Sequence, residues 1–338
     1  PVMINVAEEV LTFSNSNAKE LKFSLKAGRD NVKGLLDFSA PKGWMLSLYP
    51  TVSSGITDSF YLAKKGEEKT FIILIHPSTT SENSVLNLSV SVDGMKYSKG
   101  IKEIKYDHIP VQTLFPKAEI KLIKLDVKTK SKRIGYIPGA GDEVAPSLSQ
   151  LGYEVITLTD DMLAKESLTQ FDAIVTGVRA YNTNEKLASF KPKLMEYVSN
   201  GGNLIVQYNT NSFVGPFKAD IGPYPFKITR DRITDEEAKV VMELPDHPVF
   251  NTPNKITDKD FEGWIQERSI YHAGDWDSNY VAPISMADPN EKPNKGALLI
   301  AKHGKGHFVY TGLVFFRELP AGVPGAYRLM VNLIELGK

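Results

Sequence analysis

Ile134-Gly135-Tyr136-Ile137, followed by Val144, Leu148 and Leu151 on one helical face and then by Tyr153-Glu154-Val155-Ile156-Thr157-Leu158, decides the fold class of the larger part of this chain. A short apolar run, an amphipathic helix face and a second apolar run make one strand–helix–strand unit. The pattern then repeats. Phe171-Asp172-Ala173-Ile174-Val175-Thr176-Gly177 reads as a third strand. Leu187, Phe190, Leu194, Tyr197 and Val198 form the apolar stripe of a helix that stops at Asn200-Gly201-Gly202, and Asn203-Leu204-Ile205-Val206-Gln207-Tyr208 is a fourth strand. Strands that are apolar on nearly every residue and alternate with helices specify a mostly parallel sheet covered on both faces, the flavodoxin-like arrangement. Further strands are expected over 239–244, 297–301 and 307–311, a helix over 326–336, and long loops through the Pro-, Gly-, Asp- and aromatic-rich residues 211–295.

Toward the N-terminus the period changes to two. Residues 20–25, 34–38, 45–48, 70–75 and 85–92 read as short strands, separated by turns at 40–43, 65–68 and 92–94. Several short strands at this spacing predict an immunoglobulin-like β-sandwich over residues 1–125, with Trp44 as a large anchor between its sheets. The α/β domain is then expected over 131–338, and a length of 338 residues agrees with two cores.

Composition narrows the chemistry. The chain has no cysteine, which removes disulfides, cysteine-ligated zinc and thiol nucleophiles together, and excludes an antibody-type domain. Formal charge is zero, but residues 1–133 hold 20 Lys+Arg against 14 Asp+Glu while 134–338 hold 20 against 26. That asymmetry fits a boundary near 130 and a weak, salt-screened attraction between the two parts or toward a neighbour. It does not predict nucleic-acid binding, because the one basic run, Lys117 to Arg133, alternates as a half-solvated strand does. No run reaches the ~18 apolar residues of a membrane span. The chain opens Pro1-Val2-Met3 with no basic-then-apolar leader, so any signal peptide or upstream domain is expected to have been removed or to lie outside these residues, and the opening does not fix a compartment.

Four segments carry a family resemblance: Ile134 to Val144, Phe171 to Thr183, Tyr197 to Thr210 and Gly304 to Gly312. They resemble the class I glutamine-amidotransferase-like, ThuA-like domain that follows the catalytic domain in large bacterial PIG-L-type (LmbE-like) sugar deacetylases. Upstream, Ala40-Pro41-Lys42-Gly43-Trp44 and Tyr106-Asp107-His108-Ile109-Pro110 resemble the immunoglobulin-like, α-galactosidase-associated module that precedes it. The resemblance implies a covalently linked upstream catalytic domain, and it alone favours a periplasmic or extracellular location. It also implies what is missing. An amidotransferase carries its Cys nucleophile on the turn after the fourth strand, where this chain has Tyr208-Asn209-Thr210, and the expected His after Thr311 is replaced by Gly312-Leu313-Val314-Phe315-Phe316-Arg317. The deacetylase zinc motifs are absent too; Pro245-Asp246-His247-Pro248 lacks the second Asp. The chain therefore reads as a non-catalytic accessory region that binds carbohydrate, another polar small molecule or a partner domain.

Ligands of open parallel sheets bind beyond the carboxyl ends of the strands, which brings together 138–143, 178–183 and 208–212. Arg179 is suited to clamp a carboxylate or sugar hydroxyl, Asp142 and Glu143 to accept hydroxyl hydrogens, and Tyr181, Asn182, Tyr208, Asn209 and Asn211 to complete a polar crest. A plainer reading stands beside it: Arg179 pairs with Asp142 or Glu143 to fix loops, and the asparagines cap turns. A hydrolase using Asp142, Glu143 or His247 as acid and base is the alternative function.

Other motifs fail on their own chemistry. Gly139-Ala140-Gly141-Asp142-Glu143-Val144 lacks the third Gly of a dinucleotide fingerprint and sets two carboxylates where a pyrophosphate would sit, so no cofactor is expected, even with Asp160 at ribose-binding distance. His303-Gly304-Lys305-Gly306-His307 has zinc-pair spacing, but between two apolar strands it reads as a hairpin turn. Asp275-Trp276-Asp277-Ser278-Asn279 has Tyr280 where a calcium loop needs Gly. No metal site is expected. Trp264, Tyr271, Trp276 and Tyr280 read either as a sugar-stacking surface or as the local core of a loop-rich segment.

Overall fold

The structure, a computed structural model, describes residues 1–48, 51–53, 55–211 and 220–338. The chain divides into two compact units, Pro1–Leu125 and Asp126–Lys338.

The first unit is all β. Val2–Val6, Lys19–Ala27, Glu68–Pro77, Trp44–Leu48 and Thr51–Ser53 form a five-stranded antiparallel sheet. Met95–Tyr97, Val90–Val92, Val32–Ser39 and Gly55–Leu62 form a four-stranded one, and Val10–Phe13, Glu119–Lys124 and Ser84–Asn87 a three-stranded one. Alternation is the reason: in Lys19–Ala27 every second residue, Leu21, Phe23, Leu25 and Ala27, is buried, as a strand with one wet face requires. All three sheets send residues into one core, among them Leu25, Leu36, Phe13, Leu86 and Ile120. Trp44 sits inside it, edge-on to Phe13 at 4.9 Å, with its indole N–H donating to the Glu82 carbonyl at 3.0 Å. Residues 85–92, expected as one strand, break at Leu88-Ser89 into two that belong to different sheets. Periodicity does not reveal the break, because Leu86, Leu88, Val90 and Val92 stay in phase and all are buried.

In the second unit a seven-stranded sheet runs in the order Glu154–Thr157, Arg133–Ile137, Ala173–Thr176, Asn203–Gln207, Gly306–Thr311, Leu298–His303, Tyr280–Val281. The first five are parallel neighbours; the last two join antiparallel. Asn203–Gln207 is buried at every residue, the signature of a central strand covered on both faces. Lys191–Ser199 packs Leu194, Tyr197 and Val198 into a core with Phe226, Phe308 and Tyr310, while Pro324–Ile334 is buried nearly all round. Leu187 and Phe190 belong to a 3-10 turn that leads into Lys191–Ser199, where Pro192 occupies the first helical turn.

Three helices lie outside the sequence expectations, one of them the single turn Ala180–Thr183. Asp160–Lys165 is capped by Thr159, whose hydroxyl accepts from the Met162 N–H at 3.3 Å, and its first turn carries two aspartates. Phe315–Ala321 holds Pro320 near its end. The strand expected over 239–244 shrinks to Val241–Met242, and the Gly304-Lys305 turn closes the hairpin between Leu298–His303 and Gly306–Thr311. Residues 211–295, where described, hold only two-residue strands and 3-10 turns as regular elements. Buried polar side chains fix them. Asn332 donates to the carbonyls of Val249 and Asn254 at 2.8 and 2.7 Å and accepts from the Asn254 N–H at 3.0 Å. Ser269, His272 and Asn294 form a chain with 2.7 Å at each step, and burial holds His272 below the usual histidine range, so the ring is neutral. At the amino end of the parallel strands, Glu335 accepts from the N–H groups of Lys130 and Ser131 at 2.8 and 2.7 Å and from the Tyr153 hydroxyl at 3.3 Å. No helix among the described residues is long and apolar enough to cross a membrane.

Candidate ligand-binding site

Three loops meet at the carboxyl ends of Arg133–Ile137, Ala173–Thr176 and Asn203–Gln207, and backbone bonds weld them. Ala140 N–H donates to Val178 O and Arg179 N–H to Tyr208 O, both at 2.8 Å. Gly139 and Gly177 make the approach possible: a Cβ on Gly139 would stand 2.1 Å from Val178 O, and one on Gly177 would stand 2.5 Å from the Tyr136 hydroxyl.

Asp142 is committed to this weld. One carboxylate oxygen accepts from the Tyr136 hydroxyl at 2.5 Å and the Val144 N–H at 3.0 Å; the other accepts from the Val178 N–H at 2.9 Å. Burial, and then the Asp142 charge, pushes the Tyr136 phenol far above its ordinary value, so it remains a donor. Glu143 is exposed at the start of Val144–Gln150, where its carbonyl, not its carboxylate, accepts from the Ser147 hydroxyl at 2.6 Å. Among the described residues no ion pair joins Arg179 to Asp142 or Glu143.

The asparagines divide in the same way. Asn209 is fully buried, its carbonyl accepting from Tyr181 N–H at 3.0 Å and its amide donating to Gln207 O at 3.1 Å. Asn182 exchanges two bonds with the Thr210 backbone, 2.8 and 3.3 Å. Tyr181 is buried under the crest with its hydroxyl unpartnered, and Asn211 is exposed at the rim; Ser212 lies outside the described residues.

What remains partly accessible is the rim of an aromatic cluster between two arginines: Tyr271 and Phe316 are half-buried, while Tyr208 between them is buried. Tyr208 stacks on Tyr271 with ring centroids 5.6 Å apart and planes at 8°, and leans on Phe316 at 5.5 Å. The Arg317 guanidinium lies over Phe316 at 4.9 Å and donates to Glu267 at 3.0 Å. Burial raises the Tyr208 phenol, while Arg179 and Arg317 are close enough to pull it back down. The sequence points to Arg179 and Tyr208 but not to Phe316 and Arg317, which lie on the helix Phe315–Ala321, or to Glu267, which lies in a loop. Tyr271 had been seen only as one of an aromatic group. Of that group Trp264 and Tyr280 are core, 3% and 4% exposed.

Backbone conformation marks the same place. Arg179, Gln266 and Tyr271 adopt φ of 59°, 68° and 50°, the left-handed region that costs a side-chain-bearing residue on the order of 1–2 kcal/mol. Arg179 and Tyr271 flank Tyr208 directly; Gln266 accepts from Arg317. By contrast, Tyr208, Asn209 and Thr210 are not in that region, so the turn after Asn203–Gln207 lacks the sharp bend that exposes a nucleophile.

His247 stands elsewhere. It is near enough to His307 to disfavour charging that ring, and His307 lies opposite Asn203, at the amino end of the parallel strands. The length of Asn203–Gln207, about 13 Å at ~3.3 Å per residue, separates that edge from the crest. No group of three or more His, Asp or Glu among the described residues is placed to hold a metal. No family model and no curated protein matches the chain.

Proposed function

We propose that the second unit is a catalytically silent, amidotransferase-like domain of the ThuA-like kind that binds a carbohydrate or similarly polar ligand at the rim of the Tyr208–Tyr271–Phe316 cluster. In the same reading the first unit is an immunoglobulin-like sandwich, and the two are an accessory region of a larger PIG-L-type, deacetylase-like protein. The observation that carries the binding site is the convergence of left-handed, non-glycine Arg179 and Tyr271 on the Tyr208 ring at the carboxyl ends of parallel strands, where Tyr271 and Phe316 keep partly exposed faces. Strain of this kind persists where surrounding structure enforces it, and it concentrates at ligand sites. Stacked rings bind the apolar faces of sugars, and flanking guanidinium groups donate to hydroxyl or carboxylate oxygens.

The absence of a thiol supports a binding role over amide hydrolysis, and the placement of His247 weighs against a hydrolase that pairs it with Asp142. Isothermal titration of the full chain with glucosamine, N-acetylglucosamine and glucuronic acid tests the proposal. Binding of at least one sugar, lost in both Arg179→Ala and Tyr271→Ala, is the expected result. Silence across the panel, or variants that bind as the parent does, would overturn it.

A further inference from the structure

In the first unit, Ser84–Asn87 turns an unpaired backbone edge toward a groove that Ser39, at the end of Val32–Ser39, also faces. The Asp37 N–H donates to Ser89 O at 3.0 Å, so Asp37 points away from the Gly55–Leu62 strand. Ser39, two residues on, shares that direction. On the other side, Lys121 donates its N–H to Glu9 O at 2.9 Å, away from its antiparallel partner Val85. Opposite residues in an antiparallel pair face each other or both face away, so Val85 and Asn87 direct their N–H and C=O groups outward. Among the described residues these groups of Ser39, Val85 and Asn87 have no hydrogen-bond partner. The groove opens because the chain leaves one sheet at Asn87 and joins another at Val90. The Ser89 hydroxyl, donating to the Asp37 carbonyl, closes one end.

Beside this edge lies a cavity of about 600 Å³, lined by Ser39, Val85 and Asn87 and by the buried Phe38, Leu88 and Ala118. Its rim charges cancel in two ion pairs, Lys96–Asp37 at 3.5 Å and Lys117–Glu119 at 3.2 Å. A strand inserted at ~4.8 Å spacing, ~10 Å deep and ~3.4 Å per residue occupies roughly 160 Å³ per residue, so the cavity holds about four residues.

We propose that this groove binds an extended, uncharged segment of a second polypeptide chain by strand addition along the Ser84–Asn87 edge. A main chain is the one ligand that repeats donors and acceptors at the spacing Val85 and Asn87 present. Small apolar side chains at alternate positions rest against Phe38, Leu88 and Ala118, and polar ones face out.

Hydrogen exchange of the full chain with a short capped peptide alternating valine with serine, ended by lysines for solubility, tests the inference. The Val85 and Asn87 amides should slow about tenfold when free peptide is about ten times its Kd. A control peptide with proline at alternate positions, lacking the N–H groups, should protect neither. Val85→Pro removes an N–H that bonds nothing in the free chain, so it should leave Tm unchanged and weaken the peptide at least about tenfold. Unchanged exchange at millimolar peptide, or equal protection by the proline peptide, overturns the proposal. Should Val85→Pro unfold the protein, the outward placement of that N–H is wrong and the proposal falls with it, whatever the sugars do at the other unit.

Discussion

Replacing Asp142 measures how much of the crest is scaffold. Its carboxylate accepts three hydrogen bonds, from Tyr136, Val144 and Val178, and all three donors are on buried residues. Each bond to a charged acceptor is worth ~1.5–3 kcal/mol, and the sum is not additive, so Asp142→Ala should cost the second unit about 3–5 kcal/mol. Asp142→Asn keeps one acceptor but turns an amide N–H₂ toward an N–H, and should cost roughly 1.5–3 kcal/mol. In a unit of this size one kcal/mol moves Tm by about 2–4 °C, so the alanine variant should melt some 6–20 °C lower. Calorimetry on the full chain, reading the transition of residues 126–338, supplies the number. A Tyr136→Phe cycle should return a coupling of about 1–3 kcal/mol. A shift under about 2 °C for Asp142→Ala would refute the reasoning; a normal Tm with lost sugar binding would make the carboxylate a ligand group instead.

Three further outcomes follow from particular side chains. Arg179→Gly relieves a left-handed φ of 59° and should raise stability by up to ~1 kcal/mol in urea titrations while abolishing ligand binding; a destabilised variant would remove strain from the argument. Asn332→Leu strands two carbonyls and the Asn254 N–H in the interior, and should cost ~2–4 kcal/mol by the same titration, against near-neutrality if water replaces the amide. Glu318 has no exposed surface, and burial pushes its carboxyl up to about 8 from 4.5, although the Ile265 N–H and Arg268 oppose this. The folded state then holds a proton that the unfolded state releases, so stability falls as pH rises from about 4.5 toward 8, by ~1.4 kcal/mol per pH unit where both pKa values bracket the pH. Glu318→Gln should gain on the parent steadily across that window, and parallel pH profiles would show that Glu318 is ionised when folded.

The parallel strands were legible because each announces itself twice, by apolar continuity and by the turn that ends it: Asn200-Gly201-Gly202 marks both the stop of Lys191–Ser199 and the start of Asn203–Gln207. Asp160–Lys165 had a readable signal in Thr159 and two following aspartates, but at six residues it shows too little periodicity for a stripe. Phe315–Ala321 is hidden by Pro320 near its end and by its length of seven residues, too short to show a helical stripe. The site was half visible for a related reason. Strand ends locate Arg179 and Tyr208, whereas Tyr271 and Arg317 reach them from segments far away in sequence, through contacts no local pattern encodes. Asn209 reads from the sequence either as part of the polar crest or as a turn cap, because polarity alone does not report burial; in the structure a buried turn uses both ends of its amide.

The order of strands has a consequence for synthesis. Asn203–Gln207, apolar along Leu204-Ile205-Val206, is flanked on one side by Ala173–Thr176 and on the other by Gly306–Thr311, which emerges from the ribosome about a hundred residues later. At ~5–20 residues per second the nascent chain carries that naked hydrogen-bonding rim for roughly 5–20 s before its own tail can cover it. During that interval the strand most central in the finished sheet is its most exposed, and a chaperone that shields extended apolar segments has its natural client there.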